Sequence, residues 1–386
     1  MNIKLFPIVS SLHEKGRINE GTKELLDELI KKSSHGFEVC DIEDLYKGDL
    51  ALILIQSGGS EQLFLENLDK LKGPYYLLTY GHNNSLAASL EILSYIKDHN
   101  MEGEVLHGSN DYLANRINEL LDSNKARLGV VGKPSDWLIA STINYSDASR
   151  LHNVEMVDVS IKEVEEVYNS LNEDIDASNY EFDQNEVKAA LRLHKALDLI
   201  KDKYNLSGFT IRCFDLLTSL KTTSCLSLAL MNEKGIIGTC EGDVPSLLSM
   251  YVLNKITGCA GFQANPSRID VNNKKMVLAH CTLPLNMVTS YSLDTHFESG
   301  MGVAVKGELK EETITIFKLS RNLKDYYVTT GKIIRNLYED NLCRTQIEIS
   351  VDENIEYFLN RPYGNHHVVV YGDHKKEIQE YMDKLK

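Results

Sequence analysis

The feature that most constrains the fold is a change in the order of predicted elements along the chain. Over about the first 122 residues, strand-like apolar runs such as NIKLFPIVS, ALILIQ, YYLLTY and GEVLHG alternate with helical patterns such as GTKELLDELIKK. Alternation of this kind predicts a parallel sheet covered by helices. From about residue 262, one strand-like run follows another with only short turns between them. The chain must therefore combine two kinds of sheet.

A second α/β segment is predicted after the polar stretch LDSNKA. It begins at RLGVVGKPSDW and continues through VEMVDVS, a long helix near Gln184 to Lys203, FTIRCF and a helix after Pro245. The later runs, including KMVLAHCTL, ETITIFKL, RTQIEISV and HHVVVYG, are typical of an antiparallel sheet or barrel. We predict an α/β protein with two doubly wound parallel-sheet domains and a C-terminal antiparallel β domain ending in a helix. The predicted domains are residues 1–124, 125–261 and 262–386.

Composition argues against several classes of function. The net charge of −15 disfavours nucleic acid as a partner, because phosphate binding needs clustered Lys and Arg. The N-terminus MNIKLFPIVS lacks the long apolar region of a secretory signal, and no apolar run reaches the roughly 20 residues of a membrane-spanning helix. The seven cysteines are odd in number and lack CxxC spacing, which favours reduced thiols. We expect a cytoplasmic protein that acts on neither nucleic acid nor membranes.

The segment GTCEGDVPSLLSMYVLNKITG holds the first candidate for chemistry. A strand is predicted to end at Cys240, and Pro245 opens the following helix. Glu241 therefore lies at the carboxyl end of a strand, where ligands and catalytic bases are often found. Asp243, just ahead of the helix, fits a capping role better.

Two later segments carry further acids, amides and imidazoles. FQANPSRIDVNNKKMVLAHCTLP puts Asn265, Asp270 and His280 around one hairpin, although a lone histidine ending an apolar strand is more often structural. In DTHFESGMGVAVKGEL, the alternate spacing of His296 and Glu298 predicts that both lie on the same side of an extended segment. That spacing permits a shared site but is not specific for one.

The segment YGNHHVVVYGDH supplies His366 and His367 at the start of a strongly apolar strand. Adjacent strand residues point to opposite faces, so at most one of the two enters a given pocket. Burial before VVV is costly unless the imidazoles are engaged, which favours a site role for one of them. Together with the acids and amides, such histidines suit Mn²⁺, Mg²⁺ or Co²⁺. A metal of this kind polarises a carbonyl and the adjacent hydroxyl while a carboxylate moves a proton between neighbouring carbons.

The chain resembles a known family over about residues 205–380. The runs CEGDVPSLLSMYVLNKITG, NPSRID, VLAHCTLP, THFESGMGVAVKGEL, LCRTQI and GNHHVVVYGDH, in this order, are similar to the C-terminal half of the L-fucose isomerase-like proteins, which are related to L-arabinose isomerase. The resemblance implies an aldose–ketose isomerase that acts on a monosaccharide through an enediol, with a divalent metal, commonly Mn²⁺. It also implies a homo-oligomer, a trimer or hexamer, with active sites completed by a neighbouring subunit.

The resemblance also assigns roles to individual residues. Glu241 would be the first acidic metal ligand and the base, and His366 or His367 the C-terminal metal histidine. His280 would match the histidine that arabinose-type members add. The family's second metal carboxylate would fall near Asn265, where this chain has an amide, which binds metal more weakly and cannot act as a base.

This departure leaves three alternatives open. Asp270 supplies the missing carboxylate, or Glu241 and histidines hold the metal alone, or the chemistry has changed and the chain is a non-catalytic sugar-binding or regulatory protein that keeps the isomerase fold. Arg344, in LCRTQIEIS, would either hold an anionic group of the sugar, such as a carboxylate, phosphate or sulfonate, or pair with a nearby acid. We predict Arg344, His296 and Glu298 as substrate-binding residues.

Overall fold

The fold is described from a computed structural model, for residues 2–10, 15–33, 35–123 and 125–385. The chain divides into two compact units, Met1–Lys125 and Ala126–Lys386. Within the described ranges, no helix combines the length and the apolar character that a bilayer crossing requires.

The first unit is a five-stranded parallel sheet with helices on both faces. Its elements are β1 (Asn2–Ile8), α1 (Lys15–Ser33), β2 (Gly36–Val39), a 3₁₀ helix (Ile42–Lys47), β3 (Leu50–Ile55), α2 (Glu61–Asn67), a 3₁₀ helix (Leu68–Lys70), β4 (Tyr75–Leu78), α3 (Ser85–Asp98), β5 (Gly103–Leu106) and α4 (Asn110–Ser123). The strand order is β2-β1-β3-β4-β5. Strand β3 is apolar along its whole length because Leu52 and Leu54 pack with α1 and α4, whereas Ile53 and Ile55 pack with α2 and α3.

The second unit begins with a four-stranded parallel sheet in the order β7-β6-β8-β9. Its elements are β6 (Ala126–Val131), α5 (Tyr145–His152), β7 (Val154–Val159), α6 (Ile161–Ser170), α7 (Gln184–Tyr204), β8 (Gly208–Ile211), α8 (Cys213–Ser219), α9 (Cys225–Glu233), β9 (Ile237–Cys240) and α10 (Val244–Thr257). Leu128 and Val131 of β6 belong to cores on opposite faces, one with α5 and α10 and the other with α6 and α7. Helices therefore cover both faces of this sheet too.

The chain then forms a closed antiparallel barrel with the strand order β10-β11-β16-β15-β14-β17. The elements of this region are β10 (Phe262–Asp270), β11 (Lys275–His280), a 3₁₀ helix (Leu285–Met287), β12 (Val288–Asp294), β13 (Ala304–Leu309), β14 (Thr313–Leu319), β15 (Tyr326–Asn336), β16 (Thr345–Val351), α11 (Tyr357–Asn360), β17 (His367–Tyr371) and α12 (Lys375–Asp383). Strands β12 and β13 pair as a separate hairpin. Closure pairs β10 and β17 on both sides, so neither is a free edge.

The architecture confirms the predicted fold class of two parallel α/β sheets followed by an antiparallel β region. The parallel sheet β6–β9 and the barrel belong to the same compact unit, and the exact domain boundaries stay predictions. Gln263 of β10 joins the two, because its Oε1 accepts a 2.7 Å hydrogen bond from the backbone N–H of Cys240 at the end of β9. The carboxyl end of β9 therefore lies against the barrel.

Candidate metal centre

Glu241 begins the turn between β9 and α10 in an uncommon backbone conformation. Its φ is +64° and that of Gly242 is +73°. A non-glycine residue in this left-handed region costs on the order of 1–3 kcal/mol and is often found at functional sites. Gly242 is needed because a Cβ there would lie 2.4 Å from the carbonyl oxygen of Lys133. The turn is thus held by close backbone packing.

The Glu241 carboxylate meets two imidazoles brought in by the barrel. Its Oε1 lies 3.7 Å from Nε2 of His280, at the end of β11, and 3.4 Å from Nε2 of His366, just before β17. One ligand atom from each residue lies within 4.8 Å of the other two, and all three residues are buried. We call Glu241, His280 and His366 the Glu-His-His cluster.

A second carboxylate sets the orientation of His366. Asp243 caps α10 by accepting a 2.9 Å hydrogen bond from the backbone N–H of Ser246, which agrees with its predicted capping role. Its Oδ2 also accepts a 2.9 Å hydrogen bond from His366 Nδ1. The Nε2 atom of His366, which therefore bears the lone pair of the neutral ring, is buried and has no hydrogen-bond partner among the described residues. A buried ring nitrogen without a hydrogen-bond partner, 3.4 Å from a carboxylate oxygen, could bind a metal held between the two groups.

The Asp243 carboxylate is neutralised by a buried lysine. Nζ of Lys318, in β14, donates to both carboxylate oxygens at 3.2 Å and to Ser246 Oγ at 2.7 Å. Burial lowers the pKa of Lys318, and the Asp243 charge opposes that shift. Two charges without access to water are stable only when paired and hydrogen-bonded in this way. We call Asp243, Ser246 and Lys318 the support network of His366.

The electrostatics of the cluster favour positive charge at its centre. Burial would raise the pKa of Glu241, but the charge of His366 and the contacts with both imidazoles hold it far below the usual range. Burial would likewise lower the pKa of His366, yet the Glu241 and Asp243 carboxylates raise it to about 9. The same negative field that retains a proton there would attract a cation. One carboxylate oxygen and two imidazole nitrogens are suitable ligands for a divalent transition metal.

Asn265 lies next to the cluster, on the barrel strand that neighbours the strand of His280. The Thr282 hydroxyl lies 3.0 Å from His280 Nδ1 and holds the ring. Asn265 lies in β10, between the strands that bring in the two histidines. Ala264 pairs with His367, so alternation puts Asn265 on the face of His366. The Asn265 Oδ1 is buried without a partner among the described residues, which makes it a further candidate ligand.

The structure does not bring His367 to the cluster. Its Nε2 lies 3.1 Å from the Tyr357 hydroxyl, and its Nδ1 lies 3.1 Å from the carbonyl oxygen of Asn365. The ring packs against Tyr327, Tyr357 and Phe358. Burial, followed by the charge of Lys318, lowers its pKa to about 3. Of the two predicted histidines, His366 therefore joins the cluster and His367 lies on the opposite face.

Asp270 also lies away from the cluster, in an exposed turn. It ends β10 and pairs with Lys275, whereas Asn265 pairs with Ala279 next to His280. Five residues of strand separate these positions by roughly 17 Å. The Asp270 carboxylate accepts hydrogen bonds from the backbone N–H and side chain of Asn273 at 3.0 and 2.8 Å. The structure thus gives Asp270 a turn-forming role and does not support it as the missing carboxylate within one chain.

The predicted extended segment with His296 and Glu298 is wrong. Residues 297–299 form a turn, closed by a 2.8 Å hydrogen bond from the Gly300 N–H to the His296 carbonyl. Gly300 and Gly302 both have φ of +64°, which lets the chain reverse there. His296 is consequently buried, whereas Glu298 is exposed.

Arg344 is held beside this turn. Its Nε and Nη2 donate to the carbonyl and hydroxyl of Thr295 at 2.8 and 3.1 Å. Its Nε also lies 3.5 Å from an Asp294 carboxylate oxygen, so the predicted pairing with an acid is present. The next residue, Thr345, pairs with His280 across β16 and β11, so Arg344 lies one residue from a strand position opposite the cluster.

Sequence reasoning missed two residues that contact the site. Trp137, the sole tryptophan, donates a 2.8 Å hydrogen bond from Nε1 to Glu241 Oε2. Lys318 holds Asp243. A single lysine inside the apolar run ETITIFKL was a usable signal, because a buried lysine requires an acidic partner. No comparable signal in GKPSDW points to a partner more than a hundred residues away.

These features define a class: an α/β protein with a buried carboxylate and two imidazoles, placed to hold a metal, where a parallel sheet meets a barrel. No family profile matches the chain. It is similar to curated proteins named sulfoquinovose isomerase, with 24% identity over 186 residues to that of Alkalicoccus urumqiensis. The corresponding identities are 25% over 211 residues for Clostridium sp. (strain MSTE9) and 25% over 185 residues for Priestia megaterium.

These matches cover 46%, 51% and 45% of this chain and 42%, 47% and 42% of the relatives. The chain thus spans about half the length of the curated relatives it matches. The similarity agrees with the predicted resemblance to sugar isomerases. The narrower resemblance to L-fucose isomerase, the cytoplasmic location and the oligomeric state stay predictions.

Proposed function

We propose that this protein is an aldose–ketose isomerase that acts on a monosaccharide and uses a divalent metal, with Mn²⁺ the first candidate. The observation that carries the proposal is the Glu-His-His cluster, in which His366 Nε2 is buried, has no hydrogen-bond partner among the described residues and lies 3.4 Å from a carboxylate oxygen. The similarity to proteins named sulfoquinovose isomerase supports the same reaction class. Glu241, His280 and His366 would hold the metal, with the Asn265 amide as a further ligand.

The chain's own residues account for the proton transfer. A bound divalent ion would polarise the sugar carbonyl and the neighbouring hydroxyl. Glu241 would take the proton from the carbon beside the carbonyl and return it to the former carbonyl carbon through an enediol, while the proton of the neighbouring hydroxyl moves to the former carbonyl oxygen. Its lowered pKa keeps the carboxylate ionised, as binding to a metal requires. The support network holds His366 in one tautomer and one orientation throughout.

The substrate class we propose is an anionic sugar, in line with the sulfonated sugar in the relatives' name. Among the described residues, only Nε and Nη2 of Arg344 donate hydrogen bonds. Its guanidinium therefore has N–H groups left to bind the anion. A guanidinium binds a sulfonate or carboxylate through two parallel hydrogen bonds, which lysine cannot reproduce. His296 would line the same side of the pocket, and the exposed Glu298 would accept hydrogen bonds from sugar hydroxyls.

A second candidate is a sugar-binding protein without catalysis. It is favoured by one observation: in the cluster, Glu241 is the single carboxylate among the described residues, because position 265 is an amide. An isomerase with one carboxylate must use it for both metal binding and proton transfer. The two candidates therefore differ in turnover and not in metal content.

Two measurements, first of metal content and then of turnover, test the proposal. Protein purified after growth with manganese should contain close to one equivalent of metal, and the Glu241→Gln variant should contain almost none. The loaded protein is then incubated in deuterated water with a panel of aldoses that includes sulfoquinovose and neutral hexoses. Formation of a ketose, with deuterium beside the carbonyl, supports the isomerase. Metal binding without any ketose supports the sugar-binding alternative, and absence of metal contradicts the proposed centre.

The anion contact has its own test. Arg344→Lys should raise the KM for the sulfonated sugar and leave turnover of a neutral aldose unchanged. Equal losses on both sugars would show that Arg344 acts on the fold of the site and not on the anion.

A further inference from the structure

We propose that Trp137 is a positioning residue that determines which oxygen of Glu241 faces the cation. The inference rests on the proposed function, because it concerns the same metal centre. Trp137 lies in the loop after β6, far from Glu241 in sequence, and its indole N–H bonds the carboxylate directly.

The hydrogen bond divides the two oxygens of the carboxylate between two tasks. Oε2 accepts the 2.8 Å bond from Trp137 Nε1, while Oε1 faces the histidines at 3.4 and 3.7 Å. An ionised carboxylate is free to rotate and to bind a metal through one oxygen or both. With one lone pair of Oε2 engaged by the indole, Glu241 presents a single oxygen to the cation, and the second lone pair of Oε2 stays available to a proton. That arrangement leaves coordination positions open for a substrate.

The same loop also fixes the backbone of Glu241. The Ser135 N–H donates a 2.9 Å hydrogen bond to the Glu241 carbonyl oxygen. Arg212, at the end of β8, donates to the Pro134 carbonyl at 3.1 Å and to the Asp136 carboxylate at 3.0 and 2.8 Å. The loop therefore holds both the strained main chain and the side chain of Glu241. Trp137 provides the contact with the side chain.

The exposure of Trp137 argues against a role in core packing. Trp137 is 52% exposed, although it bonds the carboxylate of Glu241, a residue that is only 9% exposed. Its ring meets Phe214 edge-on at 4.8 Å, and Phe214 meets His296 edge-on at 5.3 Å. Trp137 is half exposed, yet it bonds a buried candidate ligand. Its main specific contact is therefore the N–H group.

Removing that N–H tests the proposal. Trp137→Phe keeps an aromatic ring for Phe214 but has no donor for Oε2. Partners of metal ligands typically change metal affinity by about 10–100-fold when replaced, so Mn²⁺ affinity should fall within that range. Electron paramagnetic resonance of free Mn²⁺, measured at increasing total Mn²⁺, gives the affinity without relying on turnover. Ile139→Ala is the matched control, because Ile139 lies in the same loop and is 89% exposed.

A spectroscopic measurement tests whether Trp137 lies beside the bound cation, as the positioning role requires. Trp137 is the only tryptophan, so indole fluorescence reports this position alone. Paramagnetic Mn²⁺ should quench it in the wild-type protein and in Ile139→Ala, at the midpoint found by resonance. Glu241→Gln should abolish the quenching. This measurement needs no Trp137 variant and so remains informative if Trp137→Phe folds poorly.

The outcomes distinguish this inference from the proposed function. If wild-type protein binds Mn²⁺ and a folded Trp137→Phe binds it equally well, the positioning role is wrong and the metal centre stands. If Mn²⁺ binds without quenching Trp137, the positioning role is likewise wrong. If the wild-type protein binds no Mn²⁺ by either method, both the centre and the role of Trp137 are wrong.

Discussion

Two adjacent histidines at the start of β17 are equally buried yet have opposite surroundings. His366 and His367 both have 0% relative exposure. His366 lies between the carboxylates of Glu241 and Asp243, at 3.4 and 2.9 Å. His367 lies among tyrosine and phenylalanine rings, and its hydrogen-bonding contacts are a hydroxyl and a carbonyl. One residue along a strand thus separates a charged site from a neutral core.

The difference shows that burial alone does not determine what a histidine does. Burial lowers the pKa of both rings. On one face the carboxylates reverse the effect and raise the pKa of His366 to about 9. On the other face, burial and the charge of Lys318 outweigh the opposing charge of Asp243, and the pKa of His367 falls to about 3. The sheet keeps the two environments apart because successive side chains point in opposite directions.

The largest effect should come from removing the buried cation that compensates the charged face. Lys318→Met leaves the fully buried Asp243 without its cation. Breaking a buried ion pair in this way typically costs about 3–5 kcal/mol, and we expect a fall of that size in the free energy of unfolding in urea. Arg335→Met is the control, because the Arg335–Glu348 pair on the same barrel is exposed. Exposed pairs contribute less than about 1 kcal/mol. Equal losses in both variants would contradict a special role for the support network.

The next largest effect should separate the two histidines by metal affinity. His366→Asn keeps a side-chain N–H for Asp243 but removes the nitrogen that faces Glu241. We expect Mn²⁺ affinity to fall at least about 100-fold, the upper end of the range for residues that only support a ligand. Titration followed by resonance of free Mn²⁺ measures this. A variant that keeps full affinity would exclude His366 as a ligand.

The opposite face should respond in stability and not in metal binding. His367→Leu leaves the buried Tyr357 hydroxyl without its histidine partner. An unsatisfied buried polar group costs about 1–3 kcal/mol, and we expect about 2 kcal/mol in urea unfolding with Mn²⁺ affinity unchanged. The double variant His367→Leu with Tyr357→Phe should not recover that loss, because the Tyr363 N–H then loses the hydroxyl that accepts its 2.8 Å hydrogen bond. A loss of Mn²⁺ affinity in His367→Leu would break the comparison.

Much of the fold was predictable because periodicity is local. The alternation of apolar runs and helical patterns predicted both parallel sheets, and the helix predicted near Gln184 to Lys203 is α7 (Gln184–Tyr204). The wrong element was the extended segment at His296 and Glu298. There, glycines at positive φ bend a stretch whose polar alternation resembles a strand. Turn chemistry overrode a weak period-two signal.

The site was less predictable because it depends on contacts between distant residues. Strand alternation correctly indicated that only one of His366 and His367 could enter a given pocket, but not which one. Asp270 looked like a substitute carboxylate because it is near Asn265 in sequence. Asp270 lies at the hairpin turn, and Asn265 lies five residues away along the same strand, which only the strand pairing reveals. The bond from Trp137 to Glu241 joins two loops that carry no shared sequence pattern.

The smallest of these effects should come from restoring a carboxylate on the charged face. Asn265→Asp replaces an amide oxygen on the face of His366, which has no hydrogen-bond partner in the described part of the chain, with an anionic ligand that divalent metals prefer. We expect Mn²⁺ affinity to rise about tenfold, which corresponds to about 1.4 kcal/mol. Without metal, the added buried charge should lower the unfolding midpoint, and Mn²⁺ should restore it. Asp270→Asn makes the reverse exchange in the exposed turn of the same strand and should change neither Mn²⁺ affinity nor the response of the unfolding midpoint to Mn²⁺. If the two variants behaved alike, Asn265 would not be a metal ligand, and the ligands from the described residues would be those of the Glu-His-His cluster alone.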